Sequence, residues 1–283
     1  MLALLLSIAV ACAETIAESP FVGITHVRRT ETAPRGIIMH AILVDLTAPG
    51  IRFKLTPPGG SRETVRQTTL DFLRQEQAQV AINAHFFLPF PSQDRDAFLI
   101  GLAASNGNVY SDFEEPAQSY ALLANAPALN LDAGNHASIV HAGDARASLW
   151  NAVAGSAQIV TEGVKTIPEY LPSGRLAPGG PERYSNADSW YRRSNARTAV
   201  GVTRDGGTLV LFTVDRATVD EVAEVLIRDY SVWNALNLDG SGSASLAMED
   251  PVTHVRTLVN ASAEGSSSRA VGSSLAVFAA ARP

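Results

Sequence analysis

One cysteine, Cys12, stands in the 283 residues, and it lies in the apolar opening segment. If that segment is removed, the chain has no thiol, which excludes disulfides, cysteine nucleophiles and thiolate metal sites. Lysine is almost as scarce: Lys54 and Lys165 are the only two, against twenty arginines. No Ser-x-x-Lys nucleophile motif can be built from them. Cationic contacts fall to guanidinium groups, whose fork suits bidentate phosphate binding. The six histidines (His26, His40, His85, His136, His141, His254) are scattered, with no His-Glu-x-x-His and no carboxylate cluster. No metal and no other cofactor is expected from such a pattern. No apolar run reaches the roughly 20 residues of a membrane-spanning helix. Net charge is −6, which argues against nucleic acid or an acidic membrane surface as partner. Repeats, coiled-coil heptads and a domain-splitting linker are all missing.

What is present describes a folded globular protein: 46% hydrophobic and 18% charged residues. Residues 1–13, Met-Leu-Ala-Leu-Leu-Leu-Ser-Ile-Ala-Val-Ala-Cys-Ala, read as a secretory signal. Ala11-Cys12-Ala13 supplies the small-residue cleavage site. The segment departs from the usual signal in having no basic residue before its apolar run, and a buried N-terminal strand or helix is the alternative. The expected organisation is a signal over 1–13, an N-terminal extension over 14–34 and one domain over 35–283. The expected location is secreted or periplasmic.

Ile37 to Leu46 and Ile51 to Thr56 read as strands. Thr47-Ala48-Pro49-Gly50 between them predicts a hairpin. Ser61 is placed to cap a helix from about Arg62 to Gln79, with Val65, Thr69, Leu70, Phe72 and Leu73 inward. Gln79–Ile82, Leu99–Ala103, Tyr120–Ala124, a Leu149–Val160 run broken at Ala154-Gly155-Ser156, and Ser274–Phe278 read as further strands. Thr198–Thr203 and Thr208–Val214 predict a hairpin around Asp205-Gly206-Gly207. Val219, Val222, Ala223, Leu226 and Ile227 have helical spacing over Thr218–Asp229. Residues 166–196, with four prolines and Tyr170, Tyr184, Trp190 and Tyr191, read as a long loop. The fold class expected is α+β: one domain of largely antiparallel or mixed sheet with a few packed helices.

The most informative stretch is Asn237-Leu238-Asp239-Gly240-Ser241-Gly242-Ser243. An apolar run from Val232 delivers one carboxylate into a turn of small residues. Glycines there permit close backbone approach, and successive N–H groups can form an anion-binding nest. A lone acid beside an anion cradle suits chemistry on a sugar or a phosphate. A solvated surface turn is the other reading of the same residues.

Five segments in order, Ile82-Asn83-Ala84-His85-Phe86-Phe87, Ala152-Val153-Ala154-Gly155-Ser156, Arg197-Thr198-Ala199-Val200-Gly201, Asn237 to Ser243, and Arg269-Ala270-Val271-Gly272-Ser273, resemble the phosphodiester glycosidase family. The resemblance runs from about Arg35 to Phe278. It departs where His85 and Ser241 stand, since the family usually has glycine at both positions. It implies a hydrolase that cleaves the bond between an anomeric carbon and a phosphate oxygen, with a carbohydrate phosphodiester as partner. The catalytic carboxylate would be Asp239. Arg197 would grip the phosphate, with the Thr198 hydroxyl beside it. His85 would act as acid or base, Asn83 would bind a sugar hydroxyl, and Asn237 would orient Asp239. Gly240, Ser241, Gly242 and Ser243 would hold sugar hydroxyls or phosphate oxygens. Asp45 and Asp215 also end apolar runs and are candidates for a second acid. A non-catalytic glycan-binding envelope protein of the same fold is the alternative. A serine hydrolase is a further one, although no Gly-x-Ser-x-Gly surrounds Ser241 or Ser243.

Overall fold

The computed structural model describes residues 13–113, 126–144, 148–167, 191–261 and 269–282. Residues 1–12 of the expected signal, with Cys12, lie outside these. So do the expected strand Tyr120–Ala124 and most of the 166–196 loop, including Tyr170, Tyr184 and Trp190.

Strands are numbered along the chain. The largest sheet has eight, in the order β1 (Ala13–Phe21), β2 (Ile24–Glu31), β3 (Ile37–Asp45), β17 (Thr208–Ala217), β16 (Asn195–Thr203), β18 (Val232–Asn237), β14 (Ala157–Thr161) and β15 (Val164–Lys165). A five-stranded sheet runs β20 (Arg256–Ala261), β19 (Ser245–Glu249), β6 (Val80–Asn83), β21 (Ser274–Phe278), β4 (Arg52–Leu55). A second runs β10 (Asn108–Ser111), β9 (Ala103–Ser105), β13 (Asn151–Ala154), β11 (Ala128–Leu131), β12 (Ala137–Val140). A small sheet holds β5 (Thr64–Val65), β8 (Asp96–Leu99) and β7 (Phe87–Leu88). Neighbouring strands pair antiparallel throughout. With two α-helices among the described residues, the protein is mostly β rather than the expected α+β.

Alternation along the strands builds the layers. In β17, Leu209 and Leu211 face a core shared with Val80 and Ile82 of β6 and with Leu275 and Val277 of β21. Val210, Phe212 and Val214 face the other way, onto Val219, Val222, Ala223 and Leu226 of helix α2 (Val219–Tyr230). Ala81, Ala247 and Ala276 turn their small side chains to Phe72 and Leu73 of helix α1 (Thr69–Glu76). Two sheets therefore share one apolar core, and each carries a helix on its outer face.

Helix α2 starts where the sequence places it. Thr218 caps it, and Glu221 completes a capping box by accepting from the Thr218 backbone N–H at 2.8 Å. Glu221 also pairs with Arg35 at 2.6 Å. Helix α1 starts later than expected. The Ser61 hydroxyl and N–H are taken by the Asp96 carboxylate, and Thr64–Val65 pairs with Ala97 and Asp96 as a strand. Thr68 is the cap instead, accepting from Asp71 N–H at 3.0 Å. The expected β3–β4 hairpin is also absent. The turn after Asp45 carries the chain from the eight-stranded sheet into a five-stranded one, because Phe53 and Leu55 are needed in the inter-sheet core. The break at Ala154-Gly155-Ser156 is a second crossing, between β13 and β14 in different sheets. Residues 13–31 form the outer hairpin of the eight-stranded sheet, with β2 paired along the whole of β3.

Candidate active site

The Asp239 turn is where the ends of β18 and β6 meet. Leu238 N–H donates to the Thr198 carbonyl at 2.9 Å, and Asp239 N–H donates to the Ala84 carbonyl at 3.1 Å. Asn83 completes the clamp. Its Nδ2 donates to the Asp239 carbonyl oxygen at 2.6 Å, while its Oδ1 accepts from the Thr198 hydroxyl at 2.8 Å and from Ser245 N–H at 3.0 Å. Gly240 is forced by proximity, since a Cβ there would sit 2.8 Å from the Ala196 carbonyl oxygen of β16. Ser241 follows at φ +55°, in the left-handed region where glycine is at ease and a larger residue is strained. Asn195 Nδ2 donates to the Ser241 hydroxyl at 3.1 Å. Ser241–Ser243 then forms a single 3-10 turn.

Asp239 opens into a pocket of about 360 Å³. One wall is apolar: Phe86, Phe87, Phe90, Pro91 and Ile100. The opposite side presents Asn195, Arg197, Asn237, Ser241, Ser243 and Arg269, with Ser156 and Tyr191. Asp239 is the one carboxylate among the described lining residues. Burial pushes its carboxyl up to about 7, against the opposing pull of the Ser243 hydroxyl, the Arg269 charge and the Gly240 N–H. An acid poised near neutrality in a pocket is suited to proton transfer.

Two arginines line the pocket in different ways. Arg197, expected to grip the phosphate, directs Nε to the Ala217 carbonyl at 3.0 Å and Nη2 to the Arg193 carbonyl. Much of its fork therefore binds backbone, tying β16 to the end of β17. Arg269 uses Nε on the Ser243 hydroxyl at 3.2 Å, and its guanidinium lies over the Phe90 ring at 4.7 Å. Its terminal nitrogens have no partner among the described residues, and the chain Arg269–Ser243–Asp239 places its charge beside the carboxyl. Within the pocket lining, the Ser156 hydroxyl accepts from Tyr191 Oη at 3.1 Å and from Asn237 Nδ2 at 2.9 Å.

The expected site residues divide. Asp239, Arg197, Asn237, Gly240, Ser241 and Ser243 line the pocket. Asn83, Thr198 and Gly242 do not; Asn83 and Thr198 spend their polar atoms on the clamp behind Asp239. His85 does not line it either. Its ring is 0% exposed and Nδ1 lies 2.9 Å from the Ser273 hydroxyl. Nε2 lies 3.0 Å from both the Leu102 carbonyl oxygen and the Ala154 nitrogen, wedged where β9 and β13 part. Burial holds the imidazole down to about 4, so it is neutral near pH 7. The expectation of acid–base work by His85 gives way to a structural role. The second-acid candidates do not line the pocket: Asp45 accepts from Thr47 and Asp215 from Ile38 N–H. The histidines are less scattered than the sequence suggests, since His26 Nε2 and His40 Nδ1 are 2.9 Å apart. Among the described residues no three His, Cys, Asp or Glu gather as a metal site would require, and no helix is long and apolar enough to cross a membrane.

The residue roles proposed from sequence omitted Arg269, Ser156, Asn195 and the Phe86–Phe90 wall. Arg269, Ser156, Phe86 and Phe87 lie inside the quoted family-like segments, which was the available signal. Nothing local distinguished Asn195 or Phe90.

Comparison with known proteins agrees with this picture. Residues 76–278 match the family described as phosphodiester glycosidase. Among solved structures, the catalytic domain of zebrafish N-acetylglucosamine-1-phosphodiester alpha-N-acetylglucosaminidase, auto-inhibited by its pro-peptide, superposes with a TM-score of 0.62 at 19% identity, covering 94% of this chain and 88% of that one. A protein assigned as exported, from Burkholderia pseudomallei K96243, gives a TM-score of 0.66 at 12% identity and 98% coverage of both chains. A hypothetical protein from Synechocystis gives 0.59 at 15% identity, covering 95% of this chain and 68% of that one. A search of curated proteins finds no match.

Proposed function

The chain belongs to the phosphodiester glycosidase family, and we propose that it hydrolyses a sugar-1-phosphodiester, releasing the sugar and leaving a phosphomonoester. The observation that carries this reading is the Asp239 carboxyl, pushed up to about 7 in a pocket beside an arginine whose terminal nitrogens have no partner among the described residues. A phosphate oxygen is a weak base, so its departure needs little protonation, and one carboxylate can serve where ordinary glycosidases use two. In the proposed step the ionised Asp239 takes a proton from a water molecule. The water oxygen forms a bond to the anomeric carbon, and the electrons of the breaking carbon–oxygen bond leave on the phosphate. Arg269 holds that phosphate through its terminal nitrogens and stabilises its growing charge. Arg197 positions the strand beneath.

The pocket volume lies at the lower end of the roughly 300–1,000 Å³ common for ligand sites, which suits one sugar with its phosphate. The apolar segment 1–13 supports export, so that the substrate would be met outside the cytoplasm. The test is turnover of a panel of sugar-1-phosphodiesters by the wild type and by Asp239→Asn. Free sugar released by the first and not the second is the expected result. Glycan binding with no turnover by either would replace hydrolysis with the non-catalytic alternative.

A further inference from the structure

The hydroxyl of Ser156 is over-supplied as an acceptor. A serine hydroxyl has one hydrogen to give and two lone pairs to receive with. Tyr191 Oη and Asn237 Nδ2 fill both lone pairs, at 3.1 and 2.9 Å. The Ser156 hydrogen therefore remains to be donated, and no acceptor for it stands among the described residues. Asn237 is the complement: its Nδ2 is committed to Ser156, while Oδ1 is buried with no donor. Both side chains are nine-tenths buried or more, at 2% exposed each, and both line the pocket. An unpaired donor next to an unpaired acceptor in a buried site is costly unless a ligand joins them.

We infer that Ser156 and Asn237 form a neutral donor–acceptor pair that reads one hydroxyl of the reacting sugar. That hydroxyl accepts from Ser156 Oγ–H and donates to Asn237 Oδ1. The inference rests on the hydrolase reading above and deepens it. A phosphate is the wrong occupant, because a phosphodiester oxygen carries no hydrogen for Asn237 Oδ1. The cation suited to phosphate, Arg269, belongs to the Ser243–Asp239 side. The shared pocket puts the hydroxyl on the sugar whose anomeric carbon meets Asp239. Asn237 is the last residue of β18 and Asp239 lies two residues on in the turn, and both line the same pocket, so a single ring can reach both. Tyr191 fixes the Ser156 hydroxyl, and the Tyr191 carbonyl is itself tied to Val219 N–H at the start of α2.

The test pairs the wild type, Ser156→Ala and Asn237→Leu with the parent sugar-1-phosphodiester and a set of analogues. Each analogue lacks one hydroxyl, and one carries an acetamido group in place of the 2-hydroxyl. Removing the hydroxyl that is read should lower wild-type kcat/KM by about ten- to a hundredfold. Ser156→Ala should lower turnover of the parent by a similar factor and leave that one analogue nearly unchanged, so the two losses do not add. A uniform loss across all analogues marks a purely structural role and overturns the proposal, as does a variant that discriminates as the wild type does. If the acetamido analogue alone keeps full rate in the wild type and loses it in Ser156→Ala, the group read is an amide, and the hydroxyl assignment falls. Calorimetric binding of the free sugars and their deoxy forms reads the same pair without chemistry. Absence of turnover with preserved hydroxyl discrimination would therefore remove the hydrolase reading and leave the pair standing. Loss of discrimination in binding would remove the pair itself.

Discussion

Replacing Asp239 by asparagine should make the protein more stable and inactive at once, and the size of the gain depends on pH. The carboxyl moves from its ordinary 3.8 to about 7 on folding, chiefly through burial. Between those two values the folded state binds a proton that the unfolded state has released. Stability of the wild type therefore falls as pH rises through that window and levels off above about 7. At ~1.36 kcal/mol per pH unit the ionised carboxyl costs the folded protein on the order of 4 kcal/mol. This is an upper figure, because the group reaches the water of the pocket. Asparagine keeps the shape and carries no charge. Denaturant unfolding of wild type and Asp239→Asn at pH 4, 6 and 8 should show curves that nearly coincide at pH 4 and separate by several kcal/mol at pH 8. In thermal terms the separation is about 10 °C, at ~2–4 °C per kcal/mol for a chain of this size. A gap under about 1 kcal/mol at pH 8, or one that does not change with pH, would refute the claim that Asp239 is desolvated.

The wild-type kcat/KM should rise with pH and level off above about 7, as the free enzyme's Asp239 becomes ionised and able to accept a proton; a profile flat from pH 5 to 9 contradicts the base assignment. Arg269→Ala should lower kcat/KM on a phosphodiester by about a hundredfold or more, and Arg269→Lys should restore only part of it, because an ammonium lacks the bidentate fork. Arg197→Ala should act first on folding, losing about 1–3 kcal/mol in denaturant as the Ala217 and Arg193 carbonyls lose their donor. His85→Ala should cost about 3 kcal/mol for the same kind of reason, leaving a cavity and one backbone group, the Leu102 carbonyl or the Ala154 N–H according to the tautomer, unmet, without moving the midpoint of the pH–rate profile. His85 and His40 are both held down to about 4 by burial, so the stability they contribute in neutral form is complete above about 6.5 and lost as pH falls toward 4. Asp239 works in the opposite sense over much of that window, so Asp239→Asn should steepen the loss on acidification.

Much of the architecture was legible because its causes are local. Period-2 alternation in Thr208–Val214 and helical spacing over Thr218–Asp229 identified β17 and α2. The turn at Asp239 was legible for the same reason: an apolar strand can only deliver a carboxylate where it ends. Ser61 shows the limit of local reasoning. Its capping chemistry was sound, but Asp96, 35 positions away, claims the same hydroxyl and N–H. The turn after Asp45 shows it again, since a change of sheet leaves no mark in four residues.

The sequence by itself determined the residue types the site would need: one acid in a small-residue turn, arginine in place of lysine, and no thiol beyond Cys12. Only the tertiary structure decided which of them meet the pocket. Asn83 ends β6 and His85 lies two residues beyond it, and in sequence both look catalytic, yet one clamps the Asp239 backbone and the other fills a gap between strands. Arg269 and Ser156 lie in family-like segments but were given no role from sequence, yet they line the pocket with Asp239 and Asn237. A side chain's role is set by which polar partner occupies its hydrogen-bonding atoms. Here those partners come from strands tens to hundreds of residues away, brought together by burial of a shared apolar core that no single segment encodes.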